Sequence, residues 1–199
     1  MFNQKELAVL ILAAGASKRM GATIKQLLPW KNTTLLGHTI QQARAVSANI
    51  VVVLGANKAP IKATLGKDLT VIENPDWKKG MGTSIAIGVN EIAKNSTIKA
   101  VLIVLADQPL LEAGYYLELK ENFSKCACSI VATLYDTKNG VPAIFAASLF
   151  SELSTLDKDY GARKLMLDYK TNTKAIDPKG NAVDIDTPEN YERLRINHH

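Results

Sequence analysis

Short apolar runs that alternate with helical patterns constrain this chain more than any other feature. Residues 7–12, 50–54, 69–72 and 100–105 are brief and rich in β-branched side chains, as expected of strands buried on both faces. Helical patterns fall between them. Residues 35–46 place Leu36, Ile40 and Ala43 at helical spacing; residues 60–65 make a short helix; residues 83–93 put Ile85, Val89 and Ile92 on one side. Strand–helix–strand alternation predicts a mostly parallel sheet with right-handed crossovers. At 199 residues the chain reads as a single domain spanning 1–199.

The second half is more mixed. Residues 112–123 read as a helix and 129–134 as a strand. Asn139-Gly140 is a turn signal, and 141–145 resumes an extended pattern despite Pro142. This predicts a small antiparallel, hairpin-like excursion on the parallel core. Residues 146–153 and 161–169 fit helices. Residues 174–176 and 183–185 are short strand candidates around the turn at 177–180. Thr187 is a candidate N-cap and Pro188 a first helical residue for a final helix. Residues 197–199 are expected to be a disordered tail or the stub of a purification tag.

Sequence alone carries some exclusions. No run is long enough to span a membrane and no signal peptide is evident, so the expected location is the cytoplasm. A net charge of +5 fits an anionic small ligand, and scattered surface lysines explain it equally well. No dense basic patch interleaves with aromatics, so nucleic acid is not an expected partner. Cys126 and Cys128 stand two apart; in a strand they would share a face, and they make neither a disulfide framework nor a zinc site. They read as small apolar strand residues in a reducing compartment.

The first apolar run ends in Leu12-Ala13-Ala14-Gly15-Ala16-Ser17-Lys18-Arg19-Met20-Gly21, with Lys25 just beyond. Small side chains let a ligand approach the main chain, and free N–H groups attract phosphate oxygens. The segment lacks G-x-x-x-x-G-K-S/T and G-x-G-x-x-G, so it is neither a P-loop nor a dinucleotide fingerprint. A phosphate cradle and an ordinary strand-to-helix turn both fit it. Asp107 ends the run at 100–105, where a carboxylate projects into the crevice of an α/β sheet and suits magnesium. A turn aspartate ahead of Pro109 fits as well. Asp184 and Asp186 would share a face of the short strand at 183–185, with Asp186 at a strand-to-helix junction. Cations for phosphates beside carboxylates for magnesium are what nucleotidyl transfer needs.

These residues, together with four further segments, give the chain a family resemblance. Asn74-Pro75-Asp76-Trp77 with Gly80, Met81 and Ser84 is one segment. Gly140 through Phe145 is another, Gly161-Ala162-Arg163 a third, and Asp184 through Glu189 the last. In order and spacing the chain resembles the molybdenum cofactor nucleotidyltransferases, MobA- and MocA-like. The resemblance implies a three-layer, Rossmann-like α/β fold. It implies transfer of CMP from CTP to the terminal phosphate of molybdopterin, with Mg2+ as cofactor, pyrophosphate as product and a molybdoenzyme as client.

The resemblance also implies roles. Lys25 and Arg19 are the expected catalytic groups, with Lys25 reaching the α-phosphate and Arg19 the β- and γ-phosphates. Leu12, Ala13, Ala14, Gly15, Ser17, Gly80, Met81 and Ser84 line the nucleotide site. Gln108, Pro142, Gly161 and Arg163 lie on the acceptor side. Asp107 and Asp186 hold the metal. The cytosine-using branch fits better than the guanine-using one, whose first loop carries an extra glycine where this chain has Ala14. Ser84 is expected to meet a pyrimidine edge, or else to bond its own helix backbone. Trp77 reads as packing or a lid, and His38 as structural. Three alternatives stand beside this reading: another phosphate acceptor, such as a sugar or polyol phosphate, with CTP or GTP; a non-catalytic nucleotide or cofactor carrier; and a dinucleotide-dependent redox protein, which the missing glycines argue against.

Overall fold

The computed structural model describes residues 4–157 and 161–198. Nine strands and seven α-helices are found among them, besides short 3-10 turns: β1 Leu7–Ala13, β2 Pro29–Trp30, β3 Thr33–Thr34, α1 Leu35–Arg44, β4 Asn49–Leu54, α2 Lys58–Lys62, β5 Thr70–Glu73, α3 Met81–Ile92, β6 Ala100–Leu105, α4 Ala113–Lys125, β7 Ile130–Tyr135, β8 Lys138–Ala146, α5 Phe150–Leu153, α6 Arg163–Asp168, β9 Thr173–Ile176 and α7 Pro188–His198. Seven strands form one sheet in the order β5-β4-β1-β6-β8-β7-β9, and β2 pairs with β3 apart from it. β5, β4, β1 and β6 run parallel. β8 lies antiparallel between β6 and β7, and β9 pairs parallel with β7. The expected α/β architecture and its antiparallel excursion are both present.

The apolar runs of β1, β4 and β6 are buried on both faces because successive side chains alternate across the sheet, whereas β5, expected to be buried likewise, lies at the sheet edge and is only partly buried. Leu7, Val9, Ile11 and Ala13 of β1 join Leu36 and Ile40 of α1 and Tyr116 and Leu119 of α4. Ala8, Leu10 and Leu12 face the other way, onto Ile85, Val89 and Ile92 of α3. Each fully buried Leu, Ile or Val contributes about 1.5–3 kcal/mol relative to exposure. Helices therefore cover both faces, giving three layers.

The order of the strands sets where a ligand can bind. From β1 the chain moves to β4 and β5 on one side, then crosses to β6 on the other. The loops leaving β1 and β6 part in opposite directions and open a crevice at the carboxyl ends of the strands. A third cluster, built from Met20, Trp30, Leu35, Ile185, Tyr191 and Leu194, docks α7 beside the first loop. The Tyr191 hydroxyl donates to the Pro29 carbonyl at 2.6 Å. This docking carries residues 183–187 back over the crevice.

Several sequence expectations fail. Residues 183–185 form no strand; their backbone link to the β6 end is a single bond from Ile185 N–H to the Asp107 carbonyl, 2.9 Å. The hairpin turns at Asp136 and Thr137, and Asn139 and Gly140 lie inside β8. Asp136 takes the positive φ that a tight hairpin loop needs, 50°. Gly140 is required for a different reason: a Cβ there would lie 2.9 Å from the Tyr135 ring. Cys126 and Cys128 sit in the bend between α4 and β7, outside any strand, and are joined as a disulfide. The bend brings their Cα atoms to 5.2 Å, closer than the roughly 6.6 Å between alternate residues of an extended strand. Asn197 and His198, expected in a disordered tail, continue α7; His199 lies outside the described residues. Thr187 does cap that helix, accepting from Asn190 N–H at 3.2 Å. Among the described residues no helix is long and apolar enough to cross a membrane.

Candidate active site

The loop after β1 is shaped by a side chain the sequence reading gave no role. Gln26 is 4% exposed. Its Nε2 donates to the Ala13 carbonyl at 3.1 Å and to the Gly15 carbonyl at 3.0 Å. The Ser17 hydroxyl reaches Gln26 Oε1 at 3.4 Å. Ser17 takes a left-handed φ of 53°, and Gly21 one of 64°. Between them a single helical turn, Lys18–Met20, presents Lys18 and Arg19 toward the crevice.

Lys25 opens the next short turn and is buried. Its Nζ lies 2.6 Å from Asp107 Oδ2 and 3.3 Å from Asp186 Oδ1. Arg19 Nη2 lies 2.9 Å from the other Asp186 oxygen. Residues from three distant parts of the chain thus converge on one cation. Asp107 stands at the β6 end, and Asp186 arrives through the docking of α7. Asp107 Oδ1 is buried and has no hydrogen-bond partner. An orphaned carboxylate oxygen beside a second carboxylate suits a hard divalent cation, which takes oxygen ligands and keeps waters and phosphates in its remaining positions. Among the described residues no cluster of three or more acidic, His or Cys ligands exists. That fits magnesium shared with a phosphate substrate better than a metal caged by protein alone.

A cavity of about 790 Å³ opens over this centre. Leu12, Ala14, Gly15, Ser17, Arg19, Lys25, Gly80, Met81, Ser84, Asp107 and Asp186, all expected at the nucleotide or metal site, line it. Ala13 does not; its side chain belongs to the core and its carbonyl is held by Gln26. Ser84 is 3% exposed and its Oγ accepts from Asn74 Nδ2 at 2.9 Å. That side-chain partner, rather than its own helix backbone, holds the hydroxyl and leaves its proton for a ligand. Asn74 also donates to Thr83 Oγ1 at 2.9 Å and accepts from Asp76 N–H. It ties the exit of β5 to the first turn of α3. Trp77 forms part of the cavity wall and packs against Gly55.

A second cavity, about 760 Å³, adjoins the first and shares Met81 and Leu105 with it. Gln108 and Arg163, two of the residues expected on the acceptor side, line it. Gly161 packs beneath it: at φ 52°, its missing Cβ would meet Met81 Sδ at 3.3 Å. Pro142 does not line the cavity; it is buried, and its carbonyl accepts from Thr133 Oγ1 at 2.7 Å. Its neighbours Gly140 and Val141 line the wall instead. Tyr135 and Asp184 also line it without having been anticipated there. Burial, and then the nearby Asp107 charge, hold the Asp184 carboxyl above the ordinary carboxylate range. Burial likewise raises the Tyr135 hydroxyl. His38 is away from both cavities, buried with Nε2 3.2 Å from the Pro109 carbonyl, and is structural as expected.

A model described as the MobA-like NTP transferase domain matches residues 9–173. The chain belongs to the MobA-like NTP transferase family. Members of this family are enzymes of nucleotidyltransferase type, taking a nucleoside triphosphate and a phosphate-bearing acceptor. Relatives within reach of this family differ in what they are named for. The nicotine blue oxidoreductase of Paenarthrobacter nicotinovorans is 30% identical, over 93% of this chain and 94% of its own. The molybdenum cofactor cytidylyltransferase of Escherichia coli is 35% identical over 40% of this chain and 42% of its own. Rv0371c of Mycobacterium tuberculosis, a solved structure, superposes with a TM-score of 0.81 at 28% identity, covering 96% of this chain and 98% of that one. It has also been solved in complex with manganese.

Proposed function

We propose that this protein transfers CMP from CTP to the terminal phosphate of molybdopterin and releases pyrophosphate. The observation that carries this reading is Lys25 held between Asp107 and Asp186 in the wall of the first cavity, which the second adjoins through Met81 and Leu105. A cation there meets a phosphate of the nucleotide. A terminal phosphate oxygen of the acceptor attacks the α-phosphorus; the new P–O bond forms as the bond to the leaving pyrophosphate breaks. A phosphate oxygen is already a nucleophile, so the protein's task is alignment and charge neutralisation. Lys25 stabilises the negative charge on the α-phosphate in the transition state. Arg19 and the amides of the first loop hold the β- and γ-phosphates.

Asp107 and Asp186 are the groups that would hold magnesium, which supplies charge neutralisation to the phosphates when bound. The manganese complex of Rv0371c supports a divalent cation in this fold. CTP is favoured by the chain's likeness to the E. coli cytidylyltransferase. Ala14 and the free proton of Ser84 support a small base with a hydrogen-bonding edge. The cytoplasm is the proposed location, and a molybdoenzyme the client for the product.

A second reading has one observation in its favour: the relative matching 93% of the chain is named an oxidoreductase. The test separates the two. Pyrophosphate release is measured with magnesium and each of CTP, GTP, ATP and UTP, with and without molybdopterin, beside oxidation of NADH and NADPH. Molybdopterin-dependent release with CTP alone is expected. Release with GTP alone would correct the base and leave the chemistry. Release only with a polyol or sugar phosphate would correct the acceptor. Nicotinamide oxidation without pyrophosphate release would overturn the transferase reading.

A further inference from the structure

The floor of the second cavity has a polarity that the protein itself fixes. Gln108 is 2% exposed and lines this cavity. Its Nε2 donates to Asp184 Oδ1 and to the Tyr135 hydroxyl oxygen, each at 2.7 Å. A carboxylate oxygen accepts, so the amide nitrogen faces Asp184. The Tyr135 hydroxyl gives its own proton to the Val141 carbonyl at 2.5 Å, so it too meets Gln108 as an acceptor. The amide oxygen is left facing the other way. Gln108 Oε1 is buried and has no hydrogen-bond partner. Folded interiors rarely leave a buried acceptor without a donor. Around it, Leu105, Val141 and Met166 give apolar walls, while Lys79 and Arg163 bring positive charge to the same cavity.

We propose that this cavity selects phosphorylated acceptors whose far end presents an N–H or O–H donor to Gln108 Oε1. The inference rests on the transferase reading, which seats the acceptor here. Asp184 is the positioning residue: it and the Tyr135 hydroxyl oxygen occupy both amide hydrogens, and the Asp184 bond alone keeps the amide turned so that the oxygen is free. Arg163 and Lys79 give the cavity a positive potential that suits an anionic acceptor. An acceptor whose inner end carries only acceptors or a negative charge would leave Gln108 Oε1 unmet and face Asp184. An amino-substituted heterocycle and a polyol both satisfy the requirement.

Calorimetric binding to the full chain tests this with three probes: a phosphorylated hydroxymethylpterin, ribitol 5-phosphate and butyl phosphate, the last with no donor on its chain. Gln108→Met is expected to weaken the donor-bearing probe that binds by about tenfold or more and to leave butyl phosphate unchanged. Tyr135→Phe keeps the amide on Asp184 and is expected to change affinity by less than about threefold. Unchanged nucleotide affinity in both variants reports an intact fold. Should Gln108→Met lose nucleotide binding, Gln108→Asn replaces it, withdrawing the oxygen by one methylene with the same expected loss. The proposal is overturned if the Gln108 variant leaves the donor-bearing probes untouched, if butyl phosphate binds the wild type as tightly, or if neither donor-bearing probe binds. Whichever of those two probes binds tells pterin from polyol. Turnover is not read, so Gln108-dependent binding without pyrophosphate release would sink the transferase reading alone.

Discussion

The Lys25 side chain keeps 11% exposure, against 24% for Asp107 and 31% for Asp186. The ammonium is thus the most sheltered member of the cluster, where its charge acts through a lower dielectric. Lys25→Ala is expected to cut pyrophosphate release about 10²–10³-fold, the loss that follows removal of one transition-state stabiliser. Steady-state kinetics check it, and an activity within threefold of wild type would remove Lys25 from the chemistry. The same change leaves two carboxylates facing each other. Lys25→Met should therefore also lower stability, by less than the ~3–5 kcal/mol of a fully buried pair because both partners touch water. Adding Asp107→Asn should recover part of that loss in a denaturant titration. Asp107 was legible in the sequence because it closely follows the apolar run of β6, whereas the roles of Lys25 and Asp186 came with the family resemblance. Gln26, Asn74 and Tyr135 were not legible: bonds from side chains to distant partners follow no sequence period.

At the scale of elements, the nucleotide cavity depends on how closely β4, the first loop and the turn before α3 approach one another. A methyl group on Gly55 would lie 2.6 Å from Trp77 Cβ and 2.7 Å from the Ala14 carbonyl oxygen. The Ala14 carbonyl is itself bonded to Ala56 N–H at 3.0 Å, so the backbone cannot yield cheaply. Gly55→Ala should cost about 1–3 kcal/mol of stability, as overpacking does. It should also weaken nucleotide binding, since Trp77 and Ala14 are two walls of one cavity. Thermal melts and a nucleotide titration check both effects; a stable variant with unchanged affinity would show that this contact is not limiting. The elements themselves were mostly readable, because burial on both faces leaves an unbroken apolar signal. The failures share one cause. Turn position in the β7–β8 hairpin follows from which residue accepts a positive φ. The extended run at 183–187 follows from the docking of α7. Neither is encoded by local periodicity.

For the molecule as a whole, α1 and the strap after β6 must stay registered for Asp107 to face Lys25, and His38 joins them. It projects from α1, is 3% exposed, and meets the Pro109 carbonyl at 3.2 Å. Burial, and then the charge of Lys31, lower its pKa from the ordinary 6.5; Glu112 and the Pro109 carbonyl oppose that shift without cancelling it. The direction of linkage follows. Between the lowered folded value and 6.5 the unfolded chain binds a proton that the folded chain refuses, so stability rises with pH across that window. The contribution is full above pH 6.5 and is lost as pH falls toward the folded value. The thermal midpoint should therefore fall between pH 7 and pH 5. His38→Gln, which keeps a donor for Pro109 but cannot take up a proton, should flatten that fall while other acid-sensitive groups retain theirs. Melts of both proteins across the range check it, and parallel curves would show that His38 titrates alike in the folded and unfolded chains. If the curves diverge as expected, acid should also reduce nucleotide turnover in wild type more than in the variant. Protonation sets a buried charge beside Lys31 where α1 meets the Asp107 strap, and so reaches the site without touching any group that binds substrate.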